Sequence, residues 1–253
     1  MDLGLQGRVA LVTGGSQGLG RAISQALAAE GAKVAVNYRR HQEEAERVCA
    51  QIGETYGVDS MAVYGDVSGE EDVGRLFDRV EQQLGLVEIL INNAAVCPTC
   101  QVKDMDYPQW VHTIRVNLDG VFLASREAVR RLLAAERPGR IVNVSSQAAF
   151  RGSTTGHAPY DASKGGIVSF TVSLAREVAD RGIAVNAVAP GMMLTEMTTA
   201  AIKANEAKYL ERIPLRRIGQ PEEIAAVVVF LASSRASYMT GATVDVSGGM
   251  LMR

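Results

Sequence analysis

Short apolar segments alternate with helical segments along most of this chain, and this alternation limits the folds that it can adopt. The apolar segments lack the polar residue at every second position that a half-exposed strand shows, so each strand must be covered on both faces. A parallel sheet with helices on both sides provides that cover. The sequence therefore predicts an α/β fold with a doubly wound parallel sheet of about seven strands and right-handed crossovers. The predicted strands are residues 9–12, 33–37, 61–64, 89–91, 140–144, 184–188 and 243–246.

Helical periodicity predicts the connecting helices. The first helix follows Gly20, and the next three cover residues 43–52, 71–84 and 110–135. A fifth begins near Tyr160, and a sixth covers residues 221–231. Ser68 is placed to cap the third of them. No internal repeat or linker divides the chain, and 253 residues with 47% hydrophobic content are enough for one large core. We therefore expect a single domain over residues 1–253.

Charge and composition narrow the class of protein. A formal net charge of -2 offers no basic face for nucleic acid, so small molecules are the expected partners. The N-terminus lacks a signal-peptide pattern, and no apolar run reaches the length of a membrane span, so a cytoplasmic location is expected. Three cysteines do not make a disulfide framework in a chain of this size.

A glycine-rich turn joins the first strand to the first helix. Gly14, Gly18 and Gly20 lie where a tight turn, close approach of the backbone to a pyrophosphate and a helix N-terminus are needed together. Their spacing, Gly-x-x-x-Gly-x-Gly, differs from the general dinucleotide fingerprint, but a strand precedes the turn and a helix follows it. The turn predicts dinucleotide binding and a Rossmann-type sheet.

The end of the second strand bears on the choice of dinucleotide. A site for NAD places an acid there, whereas this chain has Tyr38-Arg39-Arg40. Arg39 or Arg40 can pair with the 2′-phosphate of NADP, since a guanidinium matches phosphate in geometry and charge. NADP(H) is therefore the expected cofactor, with NAD(H) as the alternative. Asp66, after the third strand, is expected near the adenine or in a turn.

Tyr160 and Lys164 are one helical turn apart, so phenol and ammonium share a helix face. A nearby cation favours the phenolate, which predicts a pKa of Tyr160 below the ordinary value of about 10. A tyrosine tuned in this way can act as a general acid or base.

Seven motifs together carry a resemblance to a known family. They are the glycine turn 14–20, Asp66-Val67, Asn92-Asn93-Ala94-Ala95, Asn117, Ser145-Ser146, the segment from Tyr160 to Lys164, and Pro190-Gly191. With these in order over essentially its whole length, the chain resembles the short-chain dehydrogenase/reductase family. Its opening residues and the segment 241–249 look most like the group that contains 3-oxoacyl-[acyl-carrier-protein] reductases and glucose dehydrogenases.

The resemblance implies a role for each catalytic residue. Tyr160 would exchange a proton with the substrate oxygen, and Lys164 would lower the pKa of the phenol and hold the nicotinamide ribose. Ser146 would hydrogen-bond the reacting oxygen, and Asn117 would anchor a water that links the lysine to solvent. A carbonyl that gains hydride develops negative charge, which such donors stabilise.

The same resemblance implies the cofactor contacts and a substrate lid at about residues 191–215. Asn92 would support the adenosine side. The implied cofactor-binding residues are Gly14, Ser16, Gln17, Gly18, Leu19, Gly20, Tyr38, Arg39, Arg40, Asp66, Val67, Asn93, Ala94, Ala95, Tyr160, Lys164, Pro190, Gly191, Met193 and Thr195. No metal is implied.

Two positions depart from the family pattern. Ser146 lies 14 residues before Tyr160 (160 − 146), one more than usual, which leaves Ser145 as an alternative and puts Gln147 at the usual offset. Ala95 replaces the usual glycine, and its methyl group narrows the floor of the cofactor site.

Other residues near these motifs allow two interpretations. Cys97 and Cys100 have the spacing of a redox motif, but no partner pair of ligands is present, so we interpret the segment as an active-site loop. His157 either contacts substrate or makes local hydrogen bonds. Methionines 192, 193 and 197 form either a pocket wall or part of the core, and the basic residues 212–217 either attract an anionic carrier or face solvent.

The sequence thus predicts an NADPH-dependent reductase that converts a ketone to a secondary alcohol, with a 3-oxoacyl thioester as the candidate substrate. Two alternatives stay open: an NAD(P)-dependent dehydrogenase of a sugar, polyol or other secondary alcohol, and a nucleotide-sensing protein without turnover. The resemblance also implies a homotetramer.

Overall fold

A computed structural model describes residues 2–153 and 155–252. Seven parallel strands form one sheet in the order β3-β2-β1-β4-β5-β6-β7, which confirms the predicted doubly wound architecture. The strands are β1 (Val9–Val12), β2 (Lys33–Tyr38), β3 (Ser60–Tyr64), β4 (Val87–Asn92), β5 (Gly139–Val144), β6 (Ile183–Pro190) and β7 (Thr243–Val246).

Helices connect the strands across both faces of the sheet. They are α1 (Gly18–Ala29), α2 (Gln42–Tyr56), α3 (Glu70–Gln83), α4 (Tyr107–Ile114), α5 (Gly120–Ala134), α6 (Ala148–Arg151), α7 (Ala158–Val178), α8 (Thr199–Arg212) and α9 (Pro221–Ala232). Short 3-10 turns lie at Val102–Asp104, Ala179–Arg181 and Ser234–Ala236. No described helix combines the length and apolar character that a membrane span requires.

Each strand places successive side chains on opposite faces of the sheet, and each face has its own apolar core. In β1, Ala10 and Val12 pack under α1, α2 and α9, whereas Val9 and Leu11 pack under α3, α5 and α7. The strands are apolar throughout because both of their faces are buried, as the sequence pattern predicts.

The long helix predicted at 110–135 is interrupted by a π-helical segment, Arg115–Asp119, between α4 and α5. Asn117 in this segment is fully buried, and its side chain reaches outside the helix. Its Oδ1 accepts a 2.8 Å hydrogen bond from the Val96 amide, and its Nδ2 donates to the Val96 carbonyl and to the Ser163 hydroxyl. Single π turns of this kind are frequent at functional sites.

The predicted cap of α3 is wrong. The helix begins at Glu70 with Gly69 as the residue before it, and no side chain caps it. Ser68 instead donates its hydroxyl proton to Asp66 Oδ1 at 2.7 Å. Because Gly69 occupies the position directly before the helix, Ser68 lies one residue too early to cap it.

A chain of buried polar side chains crosses the sheet below the site. Asn92 ends β4 and donates from Nδ2 to Asn143 Oδ1 in β5, at 2.8 Å, and to Ser125 in α5. Asn143 in turn donates to the Thr171 hydroxyl in α7, at 2.9 Å. These bonds satisfy polar groups that have no access to solvent, and they link two strands and two helices directly beneath the carboxyl edge of the sheet.

Candidate active site

A cavity of about 420 Å³ lies along the carboxyl ends of the strands, where the strand order reverses between β1 and β4. Open α/β sheets bind their ligands at this position. All the predicted cofactor-binding residues line this cavity, together with Ser146. Asn117 is the one predicted catalytic residue that is not among its lining residues.

The glycine turn forms the floor of one end of the cavity. Gly14 and Gly18 have positive φ angles of 61° and 49°, which only glycine adopts readily. A Cβ added to Gly20 would lie 2.1 Å from the Gly14 carbonyl oxygen, so a larger residue cannot occupy that position. Helix α1 begins at Gly18 without a side-chain cap, and its N-terminal amides face this turn. The turn therefore fits a pyrophosphate group.

Two asparagines hold the turn in place, and the sequence prediction included only one of them. Asn93 donates from Nδ2 to the carbonyl oxygens of Thr13 and Gly14, at 3.0 and 3.1 Å. Asn37, which was not predicted, accepts from the Gly14 amide through Oδ1 and donates to the Gly65 carbonyl from Nδ2. The signal in the sequence is an asparagine inside an otherwise apolar strand.

Asn92 does not have the adenosine-side role that the resemblance implied. Strand alternation directs its side chain into the buried polar chain with Asn143 and Ser125, away from the cavity. The next residue, Asn93, lies outside the strand and faces the glycine turn.

Arg39 and Arg40 both line the cavity but have different partners. Arg39 Nη1 lies 3.1 Å from Asp66 Oδ2, so this guanidinium is already paired with a carboxylate. Although burial opposes its ionisation, hydrogen bonds from Ser68 and Arg39 hold the pKa of Asp66 below its ordinary value. Arg40 is exposed, and none of the described residues forms an ion pair with it. Arg40 is therefore the guanidinium that is available to an added phosphate.

Helix α7 brings Tyr160 and Lys164 to the other end of the cavity. Lys164 is 2% exposed, and its Nζ donates a 2.6 Å hydrogen bond to the Val144 carbonyl at the end of β5. The same Nζ lies 5.5 Å from the centre of the Tyr160 ring. Burial lowers the pKa of Lys164 to about 8, while the nearby Cys97 opposes that shift.

The predicted lowering of the Tyr160 pKa is wrong for this arrangement. Burial raises the pKa of the phenol above its ordinary value, and the Cys97 thiol adds to this, whereas a hydrogen bond with the Ser146 side chain opposes it. Lys164 does not offset the burial because its ammonium is directed at the Val144 carbonyl. The phenol therefore stays protonated at neutral pH.

The two candidate serines have separate partners. The Ser146 side chain hydrogen-bonds to the phenol of Tyr160 and also accepts from the Ala148 amide at 3.1 Å. Ser145 Oγ donates to the backbone carbonyl of Lys164 at 2.9 Å and so ties β5 to α7. Gln147, at the usual family offset, is not a lining residue of the cavity.

Cys97 and His157 lie beside this end of the cavity. The distance from Cys97 Sγ to His157 Nδ1 is 3.6 Å, and the same nitrogen lies 3.1 Å from the Pro98 carbonyl. Burial raises the pKa of the Cys97 thiol to about 11, with a further contribution from Asp161. Its thiol is therefore protonated at neutral pH, unlike the thiolate that redox chemistry requires.

The segment 191–215 begins at the cavity and contains α8, which is broken at Asn205. Met193 and Thr195 line the cavity as predicted, and so does Met197, which is 57% exposed. A further part of the lining was not predicted: His41, Val96, Val116, Glu196 and Thr198. No sequence motif marks these residues, because only the folded loops bring them to the strand ends.

The chain matches a family profile described as "Enoyl-(Acyl carrier protein) reductase" over residues 14–251. It is 40% identical over 250 residues to the 3-oxoacyl-[acyl-carrier-protein] reductase FabG of Aquifex aeolicus (strain VF5), an alignment that covers 99% of this chain and 100% of that protein.

Solved structures of similar sequence show the same fold. A protein of Agrobacterium tumefaciens provisionally assigned as a gluconate dehydrogenase superposes with a TM-score of 0.92 at 36% identity, over 98% of each chain. A second protein from that organism, provisionally assigned as a 2-deoxy-D-gluconate 3-dehydrogenase and solved with bound NADP, gives a TM-score of 0.88 at 37% identity, also over 98% of each chain.

Proposed function

Because this chain belongs to the short-chain dehydrogenase/reductase family and is an NAD(P)-dependent oxidoreductase, we propose that it reduces a ketone to a secondary alcohol with NADPH. The observation that carries the proposal is the meeting of Tyr160, Ser146 and Lys164 at one end of a cavity whose other end is the glycine turn. This arrangement supports the proposal, because Tyr160 would act as proton donor and Ser146 as hydrogen-bond donor beside a dinucleotide bound along the cavity.

The cavity residues fit such a cofactor, which when bound supplies the hydride for the reaction. The turn from Gly14 to Gly20 and the start of α1 would hold its pyrophosphate. Arg40 would pair with a 2′-phosphate, with Arg39 held beside it by Asp66. Lys164, whose ammonium is hydrogen-bonded to the end of β5, would hold ribose hydroxyls.

The protein's own contribution to catalysis is proton transfer and charge stabilisation. Ser146 would donate a hydrogen bond to the substrate carbonyl oxygen, which becomes more negative as the carbon is reduced. Tyr160, protonated at neutral pH, would transfer its proton to that oxygen to complete the alcohol. The intact set of Tyr160, Lys164 and Ser146 argues against a nucleotide sensor without turnover.

Asn117 would contribute by holding other residues of the site in position. Both hydrogens of its amide nitrogen are committed to Val96 and Ser163, one helical turn from Tyr160. We propose that it fixes the loop 93–97 against α7.

A 3-oxoacyl thioester is the substrate that we propose, because the chain is 40% identical to a reductase of that name over almost its full length. Sugar-acid oxidation is the second candidate, since solved structures provisionally assigned as gluconate dehydrogenases superpose closely. The exposed side chains of Leu194 and Met197, next to the cavity, favour an apolar acyl chain over a polyhydroxy acid. The segment 191–215 would act as the lid over that substrate.

Initial rates with NADPH and NADH, measured on 3-oxoacyl thioesters and on gluconate-type alcohols, test both candidates. We expect fast NADPH oxidation with the thioesters, and turnover with the sugar acids at least about tenfold slower, the discrimination that a well-matched pocket supplies. If the sugar acids are oxidised faster than the thioesters are reduced, sugar-acid oxidation becomes the assigned activity. A strong preference for NADH would contradict the cofactor assignment.

We also propose a homotetramer. Phe122 on α5 is 44% exposed and lies edge-on to Phe170 on α7, at 6.2 Å between ring centres, so these two helices present an apolar surface. Tyr238, close to β7, is fully exposed. Sedimentation of the wild type and of Phe122→Glu tests this: the variant should dissociate into smaller species.

A further inference from the structure

A second cavity lies at the opposite edge of the sheet from the active site. Residues at the amino-terminal ends of β1, β4 and β5 line it, and these three strands are neighbours in the sheet. Its volume is about 420 Å³, and its charged residues are Arg8, Glu88, Arg137 and Arg140. The residues proposed above for cofactor and substrate do not include any of these four.

The charges in this second cavity are unbalanced. Among the described residues that line it, Glu88 is the one carboxylate, and it lies 2.7 Å from Arg137 Nη2 and 3.8 Å from Arg8 Nε. Three guanidinium groups therefore face one acid, which leaves a net charge of two positive units. The side chains of Arg8 and Glu88 are 20% and 14% exposed, so solvent screens these charges only in part.

Arg140 is the arginine that lacks an acidic partner. Its Nη1 donates to the Gly139 carbonyl at 2.9 Å and its Nε to the Ser233 carbonyl at 3.5 Å. Among the described residues no carboxylate forms an ion pair with it, and Nη2 has no acceptor. Burial lowers the pKa of Arg140, and the charge of Arg8 lowers it further. An anion at this position would therefore relieve the repulsion between the two arginines.

We propose that this second cavity binds a phosphate group, either as free phosphate or as part of a phosphomonoester. A phosphomonoester carries about 1.5 to 2 negative charges at neutral pH, and free phosphate carries between one and two, so either one offsets most of the unbalanced charge of the cavity. The free Nη2 donors of Arg140 and the neighbouring guanidinium of Arg8 provide the planar donor geometry that phosphate oxygens accept.

Phosphate binding to the full-length chain tests this proposal. The protein is saturated with NADP, so that added inorganic phosphate cannot occupy the glycine turn, and binding is followed by calorimetry and by ³¹P NMR line width. Arg140→Gln and Arg47→Gln each remove one positive charge. Arg47 forms only exposed pairs with Glu43 and Glu44 on α2, and is the matched control.

We expect saturable phosphate binding in the wild type and in Arg47→Gln, and at least about tenfold weaker binding in Arg140→Gln, the effect of losing one charged hydrogen-bonding group. Glu88→Gln, which removes the competing carboxylate, should bind phosphate more tightly. If Arg140→Gln does not fold, Arg137→Gln is the replacement, because its side chain is 57% exposed, and it should weaken binding severalfold.

Equal phosphate affinity in Arg140→Gln and Arg47→Gln would overturn the proposal. Binding of nitrate as tight as that of phosphate, at matched ionic strength, would also overturn it. Glycerol phosphate, a phosphomonoester, distinguishes a site for phosphomonoesters from a site for free phosphate. Binding as tight as that of inorganic phosphate supports recognition of a phosphomonoester, and binding of inorganic phosphate alone supports a site for the free anion.

Discussion

The ammonium of Lys164 donates a 2.6 Å hydrogen bond to the carbonyl oxygen of Val144, the last residue of β5. This bond anchors a buried charge at the carboxyl edge of the sheet, with Nζ 5.5 Å from the centre of the Tyr160 ring. The position of the amine is therefore set by the strand, and the titration of the phenol is governed mainly by its own burial.

The burial of Lys164 predicts a specific pH dependence of stability. Burial lowers its pKa from 10.5 to about 8, so between these pH values the unfolded chain binds the proton more tightly than the folded chain. Wild-type stability should therefore rise with pH over this range relative to Lys164→Met, which has no titrating group there. The free-energy difference between the two proteins should change by about 3 kcal/mol from pH 7 to pH 10.5.

Urea unfolding at several pH values measures this difference. Lys208→Met, at an exposed position of α8, is the control and should give a stability curve parallel to that of the wild type. If the curve of Lys164→Met runs parallel to that of the wild type, burial of the charged amine does not destabilise the folded protein.

Tyr160→Phe should reduce kcat by about 10²- to 10⁴-fold, the usual contribution of a positioned general acid. Binding of the dinucleotide should persist, because the lost hydroxyl is not part of the glycine turn. Tyr56→Phe, on the surface of α2, should leave kcat unchanged. Undiminished turnover in Tyr160→Phe would exclude this tyrosine as the proton donor.

The two serines can be separated by their different partners. Ser146→Ala removes the hydroxyl that hydrogen-bonds to Tyr160 and should lower kcat by about 10²-fold, comparable to the loss of one oxyanion donor. Ser145→Ala removes the bond to the Lys164 carbonyl and should lower stability by about 1 kcal/mol, with a smaller effect on kcat. The opposite ranking of the two kcat values would assign the catalytic role to Ser145.

Arg40→Ala should raise KM for NADPH by about tenfold or more, since a charge-assisted hydrogen bond to the 2′-phosphate is lost, while KM for NADH stays nearly constant. Arg39→Ala tests whether Arg39 binds the 2′-phosphate instead. It should raise KM for NADPH by less than Arg40→Ala does, because Arg39 already pairs with Asp66. Arg47→Ala serves as the charge control. Equal increases in KM for both dinucleotides would contradict a role in phosphate selection.

Gly20→Ala should destabilise the protein by several kcal/mol and abolish dinucleotide binding, because its methyl group would overlap the Gly14 carbonyl oxygen. Gly74→Ala is the matched substitution in the middle of α3, where an added Cβ meets nothing within 4 Å. It should stabilise the chain by about 1 kcal/mol. Thermal unfolding and fluorescence titration with NADPH measure the two effects.

Continuous apolar character was enough to predict all seven strands, because both faces of a parallel sheet are buried. Strand ends were harder to predict. Strand β6 continues to Pro190, beyond the predicted end at 188, because its last four residues pair with β7. That pairing partner is more than 50 residues away in the chain, and local sequence carries no signal for it.

Side-chain contacts between distant segments account for most of the remaining differences. No sequence motif marks the π segment at Arg115–Asp119, and the contacts of Asn117 within it are to Val96 and Ser163, which are distant in the chain. The pairing of Arg39 with Asp66 likewise depends on β2 and β3 ending side by side. Motifs predicted which residues surround the cavity, whereas the partner of each charged group required the folded chain.

The hydrogen bond between Asn92 and Asn143 has a consequence for folding specificity. A shift of β5 by one residue would turn each of its side chains to the opposite face of the sheet and would separate Asn143 from Asn92. Only the alignment that sets Asn92 opposite Asn143 pairs their buried amides. Polar side chains hidden beneath the catalytic edge thus select one strand alignment, and with it the mutual placement of Asn93 and Ser146 in the loops that follow these strands.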